Sequence, residues 1–169
     1  LHGVNNTISA ITQMVHNLEE MDEPVVLVLF GDHKPWGGNG NSAYLGIGAD
    51  FSLSDLDSFY QYYSTPYVIW ANSAAKEVLG NDFVGEGGDF SPCFLMEELF
   101  DQCGWTGPSF LQLTRDVREV TPLVHQQELY LDRYGQLTDT LNEDQEELVR
   151  DLYFAQYYRQ HKINPTGQS

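Results

Sequence analysis

The sequence predicts an α/β fold: a mostly parallel sheet flanked by helices, with a hairpin and a helix at the C-terminal end. Three observations lead there. A helical pattern runs directly into an apolar strand twice, over residues 5–30 and again over 53–70. Every position from Val25 to Phe30 is apolar, which suits a strand covered on both faces. The last helical pattern carries acidic residues at its start and basic ones at its far end, matching the helix dipole.

Taking the elements in order, Asn5 or Asn6 offers a cap for a helix whose apolar residues Ile8, Ile11, Val15 and Leu18 recur at helical spacing until Pro24 stops it. The Asn5-Asn6-Thr7 glycosylation pattern reads better as this helix start. Val25 to Phe30 follows as a strand, and Gly37 to Ser42 reads as a mobile loop. A second helix is expected over Leu53 to Tyr63, capped by Ser52. Pro66 then leads into a second strand, Tyr67 to Trp70.

Ser91 and Pro92 supply a cap and a first-turn proline for a helix through Phe94, Leu95, Leu99 and Phe100, which Gly104 closes. Residues 109–119 add a short helix, and ELYLDRYGQL forms a hairpin with Gly135 in the turn. Asn142 caps the last helix, in which Glu143, Asp144, Glu146 and Glu147 precede Arg159, His161 and Lys162. No repeat or linker divides the chain, so residues 1–163 are expected to form one domain, with 164–169 a disordered tail.

Composition limits the function classes. The chain has 169 residues, 41% of them apolar, enough to fill the core of one ordinary domain. Its 25 acidic residues against 8 Lys and Arg give a net charge of -17, which repels phosphate backbones and argues against nucleic acid as a partner. The apolar run Val25–Phe30 is far shorter than the roughly 20 residues of a membrane-spanning helix. Neither an anchor nor a leader pattern stands in these residues, so the tether is expected to lie outside this chain. Cys93 and Cys103, on one expected helix, would stand roughly 15 Å apart, beyond disulfide reach, and are read as buried thiols.

The chemistry concentrates in VVLVLFGDHKPWGGNG, where the strand runs into Gly31, Asp32 and His33. Open α/β sheets place ligand groups at the carboxyl ends of their strands. Neighbouring residues on a strand point to opposite faces, but a turn at Gly31 lets both side chains converge on one ion. A carboxylate with a neutral imidazole suits Mn²⁺ or Zn²⁺ better than Ca²⁺. At least two further donors must come from elsewhere. On these three residues alone, an Asp that merely caps the next turn is an equal reading. A phosphate-loop NTPase is excluded by the lack of G-x-x-x-x-G-K-[ST]. A phosphoacceptor aspartate would explain neither His33 nor the glycine loop.

FGDHKP, then YSTPYVIWAN, the Ser91–Gly104 helix, YLDRYGQLTDTL and finally LYFAQYYRQH form an ordered set. That set resembles the sulfatase-like family that includes the lipoteichoic acid synthases, over the C-terminal part of its catalytic domain. The resemblance implies an alkaline-phosphatase-like fold. In it a metal-activated hydroxyl nucleophile attacks a phosphate or sulfate ester and forms a covalent intermediate. Asp32 and His33 would be metal ligands, with Mn²⁺ first choice and Zn²⁺ or Mg²⁺ next. The resemblance places a Glu ligand, the Thr nucleophile and a substrate-binding His upstream of Gly-Asp-His, so the catalytic nucleophile is not in this chain and the upstream half of the domain is its partner.

On that basis the chain is a fragment of a phosphoglycerol-type transferase on the outer face of a bacterial membrane. It would act on phosphate esters of membrane lipids or glycopolymers and be inactive alone. A sulfatase or phosphodiesterase is the alternative enzyme, and a non-catalytic binding module of the same fold is the alternative class. Many sulfatases have Gly after the motif; Lys34 and Pro35 here favour the synthase-like branch. Lys34 is a candidate for a substrate phosphate, against a solvated lysine, and Trp36 for stacking on glycerol or sugar, against a loop anchor. His2, His16 and His161 read as surface or satisfied core residues. His125 with Glu128 would make a metal pair only if helical.

Overall fold

Val26–Phe30 forms a strand, β1, in keeping with its apolar composition of valine, leucine and phenylalanine. It pairs with a second strand, β2 (Tyr67–Ala71), and the pairing is antiparallel, from Val26 opposite Ala71 to Phe30 opposite Tyr67. The computed structural model describes residues 2–125, 127–132 and 134–162, and the chain divides into two units, 1–85 and 86–169. The expected tail at 164–169 lies outside the described residues.

In the first unit α1 (His2–Glu19) precedes β1, and α2 (Ser42–Gly46), α3 (Leu56–Tyr63), β2 and α4 (Ser73–Leu79) follow. Asn5 and Asn6 lie inside α1 and do not cap it. The glycine stretch expected as a loop instead closes into a 3-10 turn, Asn39–Asn41, that leads into α2. α3 starts later than its apolar spacing suggested. Leu53 has φ 56°, outside the right-handed helix region, and Asp55 is the cap: its carboxylate accepts the Ser58 N–H while Ser58 Oγ accepts the Asp55 N–H. α4 has no counterpart in the sequence expectations, although Asn72 caps it and Gly80, at φ 64°, ends it.

The chain is therefore mixed α/β, but the expected mostly parallel sheet is not what the described residues show: both sheets are small and antiparallel. Nor is the strand covered on both faces as expected: Val26 to Leu29 are half-buried and Phe30 is 58% exposed, and an apolar run carries no information about strand direction. The functional consequence is positional. The carboxyl end of β1 lies beside the start of β2, so the Gly31–His33 segment meets Thr65 and Pro66.

In the second unit a 3-10 turn, Pro92–Phe94, leads into α5 (Leu95–Gln102) and α6 (Ser109–Val120). The sheet β3 (Leu123–His125), β4 (Leu129–Leu131) and β5 (Leu137–Thr138) follows, then α7 (Glu143–Lys162). Phe94, Val117, Val149 and Leu152 form the buried core, with Phe110, Leu113 and Leu148 packed around it. The hairpin β4–β5 and the Gly135 turn, at φ 76°, stand where expected. So does the Asn142 cap, which trades hydrogen bonds with Gln145 at 3.0 and 3.1 Å.

Ser91 stands at the N-cap position with Pro92 first inside the turn, as expected, but its hydroxyl makes no cap: it donates to the Val124 carbonyl and accepts the Val124 N–H, each at 2.8 Å, tying the turn to β3. Of the two thiols expected to be buried, Cys103 is buried and Cys93 is exposed in the 3-10 turn. Glu97, 1% exposed, accepts from Arg115 Nε at 3.0 Å and from Arg118 Nη1 at 2.7 Å, which joins α5 to α6 through an ion-pair network extended by Glu98 and Asp101.

Candidate functional site

β1 delivers the chain to Gly31, which is held on both sides. Its N–H donates to the Pro66 carbonyl at 3.0 Å and its own carbonyl accepts from Thr65 Oγ1 at 2.7 Å. A Cβ on Gly31 would stand 3.1 Å from the Thr65 Cβ, so a side chain here would crowd the residue that fixes the turn. Beyond this anchor Asp32 Oδ1 accepts the His33 N–H at 2.9 Å, and Oδ2 lies 3.7 Å from His33 Nε2.

His33 Nδ1 lies 2.9 Å from the Lys34 carbonyl. A carbonyl only accepts, so Nδ1 carries a proton, and Nε2 is the ring nitrogen turned toward Asp32. The pair looks into solvent, His33 at 77% and Asp32 at 80% exposure.

These two donors suit a divalent ion. Bonds of about 2.1 Å to a tetrahedral ion would set oxygen and nitrogen roughly 3.4 Å apart. The observed 3.7 Å therefore closes onto one ion with a shift of a few tenths of an ångström. Among the described residues no group of three His, Cys, Asp or Glu side chains gathers, so the remaining ligands are not supplied there.

Lys34 is committed to the scaffold: Nζ donates to the Ser64 carbonyl just before β2 and lies 5.9 Å from the centre of the Phe51 ring, and burial pushes its pKa down. Trp36, at 83% exposure, is not an anchor of the loop to a core. The loop is held by Tyr44, which sequence reasoning missed. Its hydroxyl donates to the Pro35 carbonyl at 2.7 Å, and Gly37 presses on its ring so closely that a Cβ there would fall 2.3 Å from Cδ2. Phe51 and Tyr62 continue the ring contacts at 4.8 and 5.3 Å. Glycines before a tyrosine give a sequence no signal of such a contact.

His125 lies in β3, accepts the Gln127 N–H at 3.2 Å, and is separated from Glu128 by a turn, so the helical metal pair does not form. His16 sits on α1 with Glu20 at 3.7 Å, an exposed pair of the kind expected for a surface histidine.

No protein-family model, curated protein or solved structure matches this chain.

Proposed function

We propose that the chain carries one half of a divalent-metal centre in a sulfatase-like enzyme of the lipoteichoic acid synthase type, transferring phosphoglycerol-type groups on the outer face of a bacterial membrane. The single observation that supports this reading is the placement of Asp32 Oδ2 and His33 Nε2 within 3.7 Å of each other, with His33 Nδ1 occupied by the Lys34 carbonyl. Gly31, pinned by Thr65 and Pro66, fixes where the pair leaves the strand. Asp32 offsets the charge of a bound cation, and His33 contributes a neutral donor whose orientation is set by its own backbone.

When bound, Mn²⁺ in such a site supplies Lewis-acid stabilisation of the developing oxyanion and activation of a hydroxyl nucleophile. That nucleophile and the other ligands belong to the upstream half. The alkaline-phosphatase-like fold enters the same proposal: β1 pairs with β2 along one edge, and its other edge is where parallel strands of the upstream half would add. The exposure of the Asp32–His33 pair fits a surface that a second half covers.

Electron paramagnetic resonance titration of Mn²⁺ into the chain and into its Asp32→Asn and His33→Gln variants tests the site; equal binding by all three rejects it. Turnover by the whole enzyme with Mn²⁺, on phosphatidylglycerol and on an aryl sulfate, tests the reaction. Activity on the sulfate alone rejects the transferase in favour of the sulfatase.

A further inference from the structure

We propose that the turn between Trp36 and Ile47 rests on the interface of a lipid bilayer and holds the Asp32–His33 pair at headgroup level; the choice of a lipid rests on the reading of that pair as a site for a phosphate-ester lipid. Trp36 at 83%, Ile47 at 80% and Leu45 at 58% exposure are large apolar side chains left in water on one short stretch. From Pro35 to Ala49 the chain has no Asp, Glu, Lys, Arg or His, although the protein as a whole carries -17. Removing this stretch from water strips no charge of its hydration, and no carboxylate within it opposes an anionic headgroup. Tryptophan and aliphatic side chains together are the composition that settles at the boundary of headgroup and acyl chain.

The turn is built, not loose. The Ala43 N–H donates to the Gly37 carbonyl at 2.8 Å, the Ala49 N–H to the Tyr44 carbonyl at 3.0 Å, and Tyr44 Oη to the Pro35 carbonyl at 2.7 Å. Trp36, Leu45 and Ile47 therefore ride on one ordered frame, and seating them costs little additional ordering. Trp36 lies three residues beyond His33, a reach of at most about 10 Å, so a lipid phosphate beside the tryptophan is within range of the pair. A soluble sugar stacked on Trp36 would leave Leu45 and Ile47 without a function. Another exposed aromatic stretch, Tyr153, Phe154, Tyr157 and Tyr158 on α7, is flanked by Asp151 and Arg159 and serves as a control.

The test is co-sedimentation of the chain with phosphatidylcholine vesicles, with and without phosphatidylglycerol. Wild type is compared with Trp36→Ala/Ile47→Asn, with Phe154→Ala/Tyr158→Ala and with Asp32→Asn, and circular dichroism confirms the fold of each. The expected result is partition into both vesicles that falls about tenfold in the Trp36/Ile47 variant and is unchanged in the α7 variant. Mn²⁺ binding, read by resonance titration, is expected to fall in Asp32→Asn and to be kept in the Trp36/Ile47 variant, so failure of the metal site and failure of the membrane contact are read separately. Acyl-chain bromination should quench wild-type fluorescence more than that of Trp36→Ala. Absence of partition at millimolar lipid, partition equal in the Trp36/Ile47 variant, or partition lost only in the α7 variant overturns the proposal. So does saturable binding of soluble glycerol phosphate that needs Trp36 without any vesicle binding.

Discussion

The side-chain oxygen of Asn72 accepts the backbone N–H of Val25 at 2.9 Å, across the mouth of the β1–β2 pair. The same oxygen accepts the Ala75 N–H at 2.9 Å, capping α4, while Nδ2 reaches the carbonyls of Leu18, Met21 and Glu23 at 3.1, 3.3 and 2.9 Å. One fully buried amide thus joins the end of α1, the entry to β1 and the start of α4. Asn72→Ala removes the cap of α4 and the partner of several part-buried backbone groups, and is expected to cost about 3 kcal/mol in urea unfolding. Asn72→Asp keeps the acceptor but sets a carboxylate against three carbonyls, and should destabilise at least as much. A capping role alone predicts the opposite, because Asp caps as well as Asn.

Glu97 in the second unit answers two guanidinium groups from inside the protein, with only 2% of its side chain in solvent. Glu97→Gln leaves the half-buried Arg118 undercompensated between Glu98 and the face of Phe90, and is expected to destabilise by about 3 kcal/mol. Glu119→Gln, on the exposed side of α6, should stay within about 0.5 kcal/mol of wild type. Denaturant unfolding of the two variants checks the contrast, and added salt should change it little because a buried pair is poorly screened.

What the sequence disclosed follows from how local each signal is. Asn142, the acidic first turn and Gly135 act within four or five residues, and the helix and hairpin they mark are present. The location of β1 was legible in the apolar run Val25–Phe30, but its direction was not, because the partner lies some forty residues away and an apolar run does not encode orientation. Leu53 continues the apolar spacing of α3, yet its left-handed backbone puts it outside the helix, and periodicity does not encode φ. In the site, adjacency made Asp32 and His33 visible. The ties of Lys34 to Ser64 and of Tyr44 to Pro35 were hidden, since a side chain reaching a distant carbonyl leaves no pattern in the residues around it.

Gly37 offers a steric test of the frame beneath the site. Its φ is not in the left-handed region, so a substitution acts through space: the new Cβ would stand 2.3 and 2.5 Å from Cδ2 and Cε2 of Tyr44. The ring must swing out, breaking the Tyr44–Pro35 hydrogen bond, and Gly37→Ala is expected to cost about 1–3 kcal/mol. Gly85→Ala, where the added atom meets open space, is the control and should be near neutral. Amide exchange should show protection in α2 lost in the first variant and kept in the second.

Acid sensitivity is expected first from His125. Partial burial in β3 pushes its pKa below the ordinary 6.5, so the folded protein resists a proton that the unfolded chain accepts. As pH falls below 6.5 the unfolded state gains protons before the folded state does, and stability declines until the folded imidazole also protonates; above that window the contribution is constant. Asp55 acts in a separate, lower window. Hydrogen bonds from Ser58 hold its carboxyl below the usual 3.8, so the stability it contributes is present above that value and lost as pH drops through its folded-state pKa. His125→Asn keeps an acceptor for the Gln127 N–H and removes the titration. Urea midpoints measured at about pH 7.5 and about pH 5.5 should therefore drop for wild type and drop less for His125→Asn. A midpoint that falls more on acidification in His125→Asn than in wild type would reverse the sign assigned to this group.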